Sequence, residues 1–193
     1  MSDISLRLLK PEDAAAAGEI VGKAHSSYLE LGPYDGQWWL KNFFIPALRK
    51  GLEMGDIVIG GDSSSGLVAA YELPHFVKAN GVLENSQNSF GWFATAEPNK
   101  GIGTAFMQKL GSIFAYCAYE AGVQQFVHRE QATNSMNRNF FQRSGYKVVG
   151  TFNGNRYTYD YCVKMHPSSN HVLSSLEQEI AGRIVAQAQR LVV

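Results

Sequence analysis

Apolar and polar residues alternate from Ile4 to Leu9, the two-residue period of a strand with one covered face. Pro11-Glu12-Asp13 reads as the first turn of a helix. Proline fits where a helical amide lacks an acceptor, and acids favour the positive end of the dipole. This helix is predicted through Ala14 to about Tyr28, where Leu31-Gly32-Pro33-Tyr34-Asp35-Gly36 breaks it. A second helix follows over Trp38 to Arg49, with Trp38, Trp39, Phe43 and Phe44 on it. Asp56 to Gly60 and Gly66 to Leu73 predict a hairpin, because the linking Gly61-Asp62-Ser63-Ser64-Ser65 consists of turn formers. Pro74 to Ser89 reads as a long polar connection, and Phe90 to Ala96 as a strand. Phe106, Leu110, Ile113, Phe114, Cys117 and Ala121 then recur at helical spacing, predicting a helix over Thr104 to Ala121.

Beyond it come a strand over Gln124 to Glu130, a helix over Asn134 to Ser144, and a last hairpin. The strands of that hairpin are Tyr146 to Phe152 and Arg156 to Met165, about Asn153-Gly154-Asn155. The order of elements is that of an α/β protein. His166-Pro167-Ser168-Ser169-Asn170 is a polar break, which divides a domain over 1–166 from a helical extension over 167–193. Leu173, Leu176, Ile180, Ile184, Ala188 and Leu191 form one apolar stripe, to be covered by the chain's own domain or by a second copy in a homodimer. Glu177 and Glu179 beside Arg183 and Arg190 leave no basic excess for a membrane surface.

Composition narrows the class. The 193 residues suffice for one full core, and 45% hydrophobic against 18% charged residues excludes a disordered chain. Seventeen basic side chains balance seventeen acidic ones, so no partnership with nucleic acid or an anionic membrane is expected. Cys117 and Cys162 fall inside predicted elements and Met1-Ser2-Asp3-Ile4 has no basic or apolar leader, so the expectation is a cytoplasmic protein with two core thiols.

The candidate chemistry starts at Pro98-Asn99-Lys100-Gly101-Ile102-Gly103-Thr104-Ala105, a glycine-rich turn between the strand at Phe90 and the long helix. The first amides of a helix have no internal acceptors and carry the positive end of its dipole. Gly101 and Gly103 clear side chains from where a phosphate would approach, and Lys100 adds a cation. No Lys-Ser or Lys-Thr follows as in a P-loop, and Phe106 stands where a dinucleotide fingerprint needs its third glycine. The turn is similar to the pyrophosphate loop of the GNAT N-acetyltransferase superfamily, which reads Gln or Arg, two residues, Gly, any residue, then Gly or Ala. Pro98 departs from its first place. A second block, NSMNRNFFQRSGY over Asn134 to Tyr146, resembles the segment after that family's fifth strand, where an Asn precedes Gly and an aromatic by eleven and twelve places; Asn134, Gly145 and Tyr146 fit. Together the blocks cover Phe90 to Tyr146.

The resemblance implies a GNAT acyl-CoA N-acyltransferase fold, a mixed central sheet of about seven strands flanked by helices. It implies acetyl-CoA as donor and no metal. The pyrophosphate would lie on Asn99, Lys100, Gly101, Ile102, Gly103 and Thr104, the pantetheine arm along Phe93, Ala94 and Thr95, and Asn134 would be a further contact. It also implies an N-acetyltransferase acting on the primary amine of a small molecule, amino acid or peptide. An alkylamine is protonated below about pH 10.4, so exposing its lone pair at pH 7 costs roughly 4 to 5 kcal/mol and calls for a base.

Two family positions are altered. A Glu common fourteen residues before the first motif glycine is Gln87, and a Tyr common seven residues after the Asn is Phe141. Other relatives carry a Glu five residues before the Asn, where this chain has Arg129 between His128 and Glu130. His128 and Glu130 share one face of the strand, and a one-residue bulge would bring Glu130 to that position, which makes these two the candidate catalytic residues. Glu72, His75 and Glu84 are reserves. The acceptor side would draw on Tyr28, Tyr34, Trp38, Trp39 and Tyr157. Gln87 and Phe141 support an alternative, a GNAT-fold protein that binds an acyl-CoA without turnover.

Overall fold

The structure, a computed structural model, describes residues 4–24, 36–86, 91–97, 100–132, 135–152, 156–164 and 173–190. The chain divides into two compact units, Met1–Leu73 with Phe90–Phe106, and Pro74–Ser89 with Met107–Val193.

The first unit holds a sheet in the order β1-β2-β3-β6, all antiparallel: β1 Ser5–Leu8, β2 Val58–Ser63, β3 Gly66–Glu72 and β6 Trp92–Thr95. A 3₁₀ turn over Pro11–Asp13 leads into α1, Ala14–Ala24. The second helix, α2, runs from Gly36–Trp39 through a π-turn at Leu40–Phe44 to Ile45–Met54. It can lie close to α1 because Gly18 and Gly22, one turn apart, leave space that Ile45 and Leu40 fill. Leu9, Ala14, Ala17, Leu48, Val58 and Ala70 form the core between sheet and helices. Phe44 and Trp92 pack against it, Trp39 packs against the neighbouring cluster of Ile20, Val21, Leu40 and Ala94, and Trp38 is 43% exposed, against Phe43.

Arg7 fastens this unit. Its guanidinium donates to both carboxylate oxygens of Asp13, at 2.7 and 3.0 Å, and through Nε to Asp62 at 2.6 Å. It thereby joins β1, the 3₁₀ turn and β2.

The second unit has a five-stranded sheet in the order β4-β5-β7-β9-β8. Its strands are β4 Phe76–Ala79, β5 Val82–Asn85, β7 Gln125–Ala132, β8 Lys147–Phe152 and β9 Arg156–Lys164. The expected polar connection over Pro74 to Ser89 is corrected here, since much of it is the β4–β5 hairpin. It turns at Asn80 and Gly81, both at positive φ, and Val82, Leu83 and Glu84 join β7 in parallel. The described residues thus carry nine strands in two sheets, where about seven in one sheet were expected. β8, at the sheet edge, has an irregular register between Val148 and Gly150, with Val149 as the extra residue.

The long helix α3, Ile102–Glu120, and α4, Ser135–Arg143, complete the predicted pattern. Within the second unit Phe114 stacks on Phe126 at 4.2 Å between centroids, and Phe76 lies 4.7 Å from Phe126. The terminal helix α5, Ser175–Arg190, begins with a capping box in which Ser174 and Glu177 exchange hydrogen bonds. Its stripe of Ile180, Ala181, Ile184 and Ala188 is buried by the chain itself, and Cys117 Sγ lies 3.8 Å from the Ala181 carbonyl. Cys117 is a core thiol as expected, pushed well above its ordinary range by burial. Cys162 is exposed, which corrects its reading as a core residue. No described helix is long and apolar enough to cross a membrane.

The Arg7 clamp holds the Asp13 carboxyl below its usual range, chiefly by its hydrogen bonds and against the opposing effect of burial. A depressed carboxyl adds stability above its unfolded value, near 3.9, and that contribution is lost as pH falls through the lower folded value. Arg7→Ala should cost about 1 to 2 kcal/mol at pH 7. It should also flatten the loss of stability below about pH 4. Denaturation followed across pH 2 to 7 checks both.

Candidate functional site

Gly101 opens α3. At φ 77 its backbone is in the left-handed region that glycine adopts without strain, and a Cβ there would meet nothing within 4 Å. Its carbonyl accepts the first helical hydrogen bond, from Ala105 N at 3.0 Å. The amides of Ile102, Gly103 and Thr104 are therefore first-turn donors without acceptors inside the helix. Lys100 is exposed beside them. A carboxylate or phosphate fits this local chemistry, with an open turn, three amides and one cation. Asn99 and Pro98 lie outside the described residues, as do Asn134 and Gln87.

β6 pairs with β3 in the register Ala69↔Thr95, Ala70↔Ala94, Tyr71↔Phe93, and the Ala96 amide donates to the Val68 carbonyl at 2.8 Å. Alternation along such a ladder directs the backbone groups of Ala94 toward β3 and those of Phe93 and Thr95 away from it. As the edge strand of its sheet, β6 suits the expected role of offering backbone groups to an extended ligand.

β7 places His128 and Glu130 on one face and Arg129 on the other. No bulge brings Glu130 to the position of Arg129, because β7 pairs with β9 in unbroken register from Gln125↔Lys164 to Ala132↔Tyr157. Arg129, at the position of the family's glutamate, donates through Nε to its cross-strand partner Asp160 at 2.8 Å. Asn85 brackets the same residue, accepting from its amide and donating to its carbonyl, at 2.8 and 2.9 Å.

On the opposite face the His128 side chain is fully buried, with the rings of Phe114 and Phe76 at 5.2 and 6.0 Å. Its Nε2 lies 3.0 Å from Glu130 Oε1, and its Nδ1 lies 2.5 Å from Tyr146 Oη. Glu130 keeps 16% of its side chain exposed. Of the two candidate catalytic residues, only Glu130 keeps exposed surface; His128 is sealed inside.

Tyr146 reaches the imidazole because of how α4 ends. Gly145, at φ 93, donates to the Gln142 carbonyl at 3.1 Å, and the Tyr146 amide donates to the Phe141 carbonyl at 3.0 Å. These two bonds make a Schellman closure, whose usual apolar contact is here the Phe141–Tyr146 pair at 5.0 Å. Gly145-Tyr146 was legible as a family motif, but the partner of its hydroxyl was not. Glu72, a reserve base, is in the first unit. Burial pushes its carboxyl up, Asp56 adds to this, and a hydrogen bond from Trp92 opposes it. Glu97 is exposed, and the side chain of Tyr157 lies outside the description, as do Tyr28 and Tyr34.

No family model matches the sequence, and no curated protein does. Solved structures do match. RimL, a ribosomal-protein alpha-N-acetyltransferase in complex with coenzyme A, aligns with a TM-score of 0.59 at 12% identity, over 86% of this chain and 97% of that one. PaiA N-acetyltransferase from Thermoplasma acidophilum, also in complex with coenzyme A, aligns at 0.57 and 17%, over 82% and 98%. The chain has the GNAT acetyltransferase fold. An N-acetyltransferase from Staphylococcus aureus Mu50 aligns at 0.50 and 15%, over 86% and 100%. The GNAT fold thus accounts for nearly the full length of each matched structure.

Removing the imidazole by His128→Ala would leave a cavity and strip Tyr146 and Glu130 of a partner, at a cost of about 2 to 4 kcal/mol. Glu130→Gln keeps an oxygen that can accept from Nε2–H and should cost less than about 1 kcal/mol. Chemical denaturation of both variants checks the order.

Proposed function

We propose that the protein is an acetyl-CoA-dependent N-acetyltransferase acting on the primary amine of a small molecule, amino acid or peptide. The observation that carries the reading is the open, glycine-started turn of α3 in a fold shared with two structures solved with coenzyme A. Lys100 and the amides of Ile102 to Thr104 hold the pyrophosphate, the backbone of Phe93 to Thr95 orients the pantetheine arm, and Asn134 adds a contact. Acetyl-CoA supplies the activated acetyl group. Glu130 takes the proton that the amine must lose, with His128 Nε2 holding its carboxylate in place. Phe141 has no hydroxyl, so the leaving thiolate draws its proton from water.

Phe141 also supports the second reading, an acyl-CoA-binding protein without turnover, because both its ring and Arg129 are engaged in the fold where relatives carry an acid and a base. Thiol release measured across a panel of amines, beside calorimetry with coenzyme A, separates the two. We expect release with at least one amine, a fall of about 10²-fold or more in kcat for Glu130→Gln, and unchanged coenzyme A binding in that variant. Gly101→Val should weaken coenzyme A binding at least about tenfold, since it blocks the turn and strains it. Binding without release for every amine would leave the second reading; absence of binding would sink both.

A further inference from the structure

β5 and β7 part at Asn85. In a parallel ladder a residue lies between two partners of the next strand, donating to the carbonyl of one and accepting from the amide of the other. Leu83, in register with Phe126, stands in this way between Gln125 and Val127. The same register carried two residues on would give the Arg129 amide to the Asn85 carbonyl. At that step the side chain takes over: Asn85 Oδ1 accepts from Arg129 N at 2.8 Å and Nδ2 donates to Arg129 O at 2.9 Å. The main chain meanwhile stays with β4, Ser86 N donating to the His75 carbonyl at 2.7 Å.

β7 continues past this fork. Strand groups alternate in direction, so the N–H and C=O of Gln131 leave β7 on the same edge as those of Arg129 that Asn85 holds. The described residues of β5 end at Asn85, no main-chain bond to Gln131 from that edge is found among the described residues, and Gln131 is exposed. On its other edge β7 stays in register with β9 through Ala132.

We infer that the edge of β7 at Gln131 docks the N-terminal residues of a peptide, so that the acceptor is a peptide amine. The inference deepens the acetyltransferase reading and rests on it for the reaction, while the docking is measurable without turnover. The open groups are one donor and one acceptor, both on the main chain. An extended peptide running parallel to β7, as β5 does, meets both: its first carbonyl accepts from Gln131 N–H, and its third residue donates to Gln131 C=O. This pairing sets the first residue beside Glu130, the proposed base, and its terminal nitrogen beside the Arg129 carbonyl. That carbonyl keeps a second lone pair after Asn85 has used one. A small amine without amide groups meets neither group of Gln131. Charge favours the same occupant, since Glu84, Glu130 and Asp160 stand at this level of β5, β7 and β9 against the one cation Arg129. An excess of carboxylates suits a terminal ammonium.

In ¹⁵N-labelled protein, exchange of the Gln131 amide is followed with and without a pool of random tetrapeptides bearing free N-termini. We expect fast exchange in the free protein and exchange at least about tenfold slower with the pool, the size of one main-chain hydrogen bond. Propylamine should leave the rate unchanged. Gln131→Pro removes the N–H on the open edge, where the β9 ladder does not use it, and should weaken peptide binding about tenfold relative to Gln131→Ala, which keeps the main chain. If Gln131→Pro does not fold, the exchange of the wild type still decides. A Gln131 amide already protected in the free protein overturns the inference, as does protection by coenzyme A alone, no protection by the pool, or equal peptide affinity in the two variants. Thiol release with small amines and no protection by peptides would reject the docking and keep the acetyltransferase reading. Protection by peptides with no thiol release would keep the docking and reject that reading.

Discussion

The register of β7 is the constraint from which the candidate site follows. Strand side chains alternate, so a slip of one residue would carry Arg129 into the aromatic layer and put His128 opposite the charges on the other face. The pairing that prevents this comes from both sides: β5 in parallel through Glu84↔Val127, and β9 antiparallel along the full strand. The Arg129–Asp160 pair on the outer face and the Asn85 side chain on the Arg129 backbone fix the one residue between His128 and Glu130. Local charge pairing on one side of the sheet thereby helps fix which side chains face the aromatic layer on the other.

The ends of helices do the rest of the placement. At α3 the chain enters through a left-handed glycine, and the three amides after it have no acceptors inside the helix. At α4 it leaves through another, and the two closing hydrogen bonds turn Tyr146 back onto Phe141 and toward His128. In both cases a short backbone event, written as one glycine, decides which backbone groups the helix leaves unpaired and which side chain turns inward. The same closure suggests why an aromatic follows Gly145, since that place is turned inward whether or not its residue bears a hydroxyl.

Most of the architecture was legible in the sequence because its elements are long and periodic. The predicted helix over Thr104 to Ala121 and the strand from Gln124 differ from the observed ends by one or two residues, the ordinary fraying of element boundaries. The β4–β5 hairpin escaped because its polar residues, Lys78, Asn80, Glu84 and Asn85, mask the apolar Phe76 and Leu83 in a polar average. The Asn80-Gly81 pair was the available sign, being the favoured dipeptide for a two-residue hairpin turn. The site was legible in part. Spacing put His128 and Glu130 on one face, but it carried no information on burial, so it could not show that one of them is sealed inside. The hydroxyl of Tyr146, eighteen residues away in sequence, reaches Nδ1 only through tertiary packing. For Cys162, position in a strand said nothing of which face that strand would expose.

The irregularity in β8 has a consequence for how molecules of this protein meet. Val148 and Val149 are 47% and 55% exposed on the outermost strand of the five-stranded sheet. A straight, flat strand with such residues is a template on which another polypeptide can add itself edge to edge. The extra residue at Val149 breaks the even spacing of amides and carbonyls that such an intruder would have to match. One inserted residue thus acts as a guard against aggregation, allowing valines to stay at the border of the sheet.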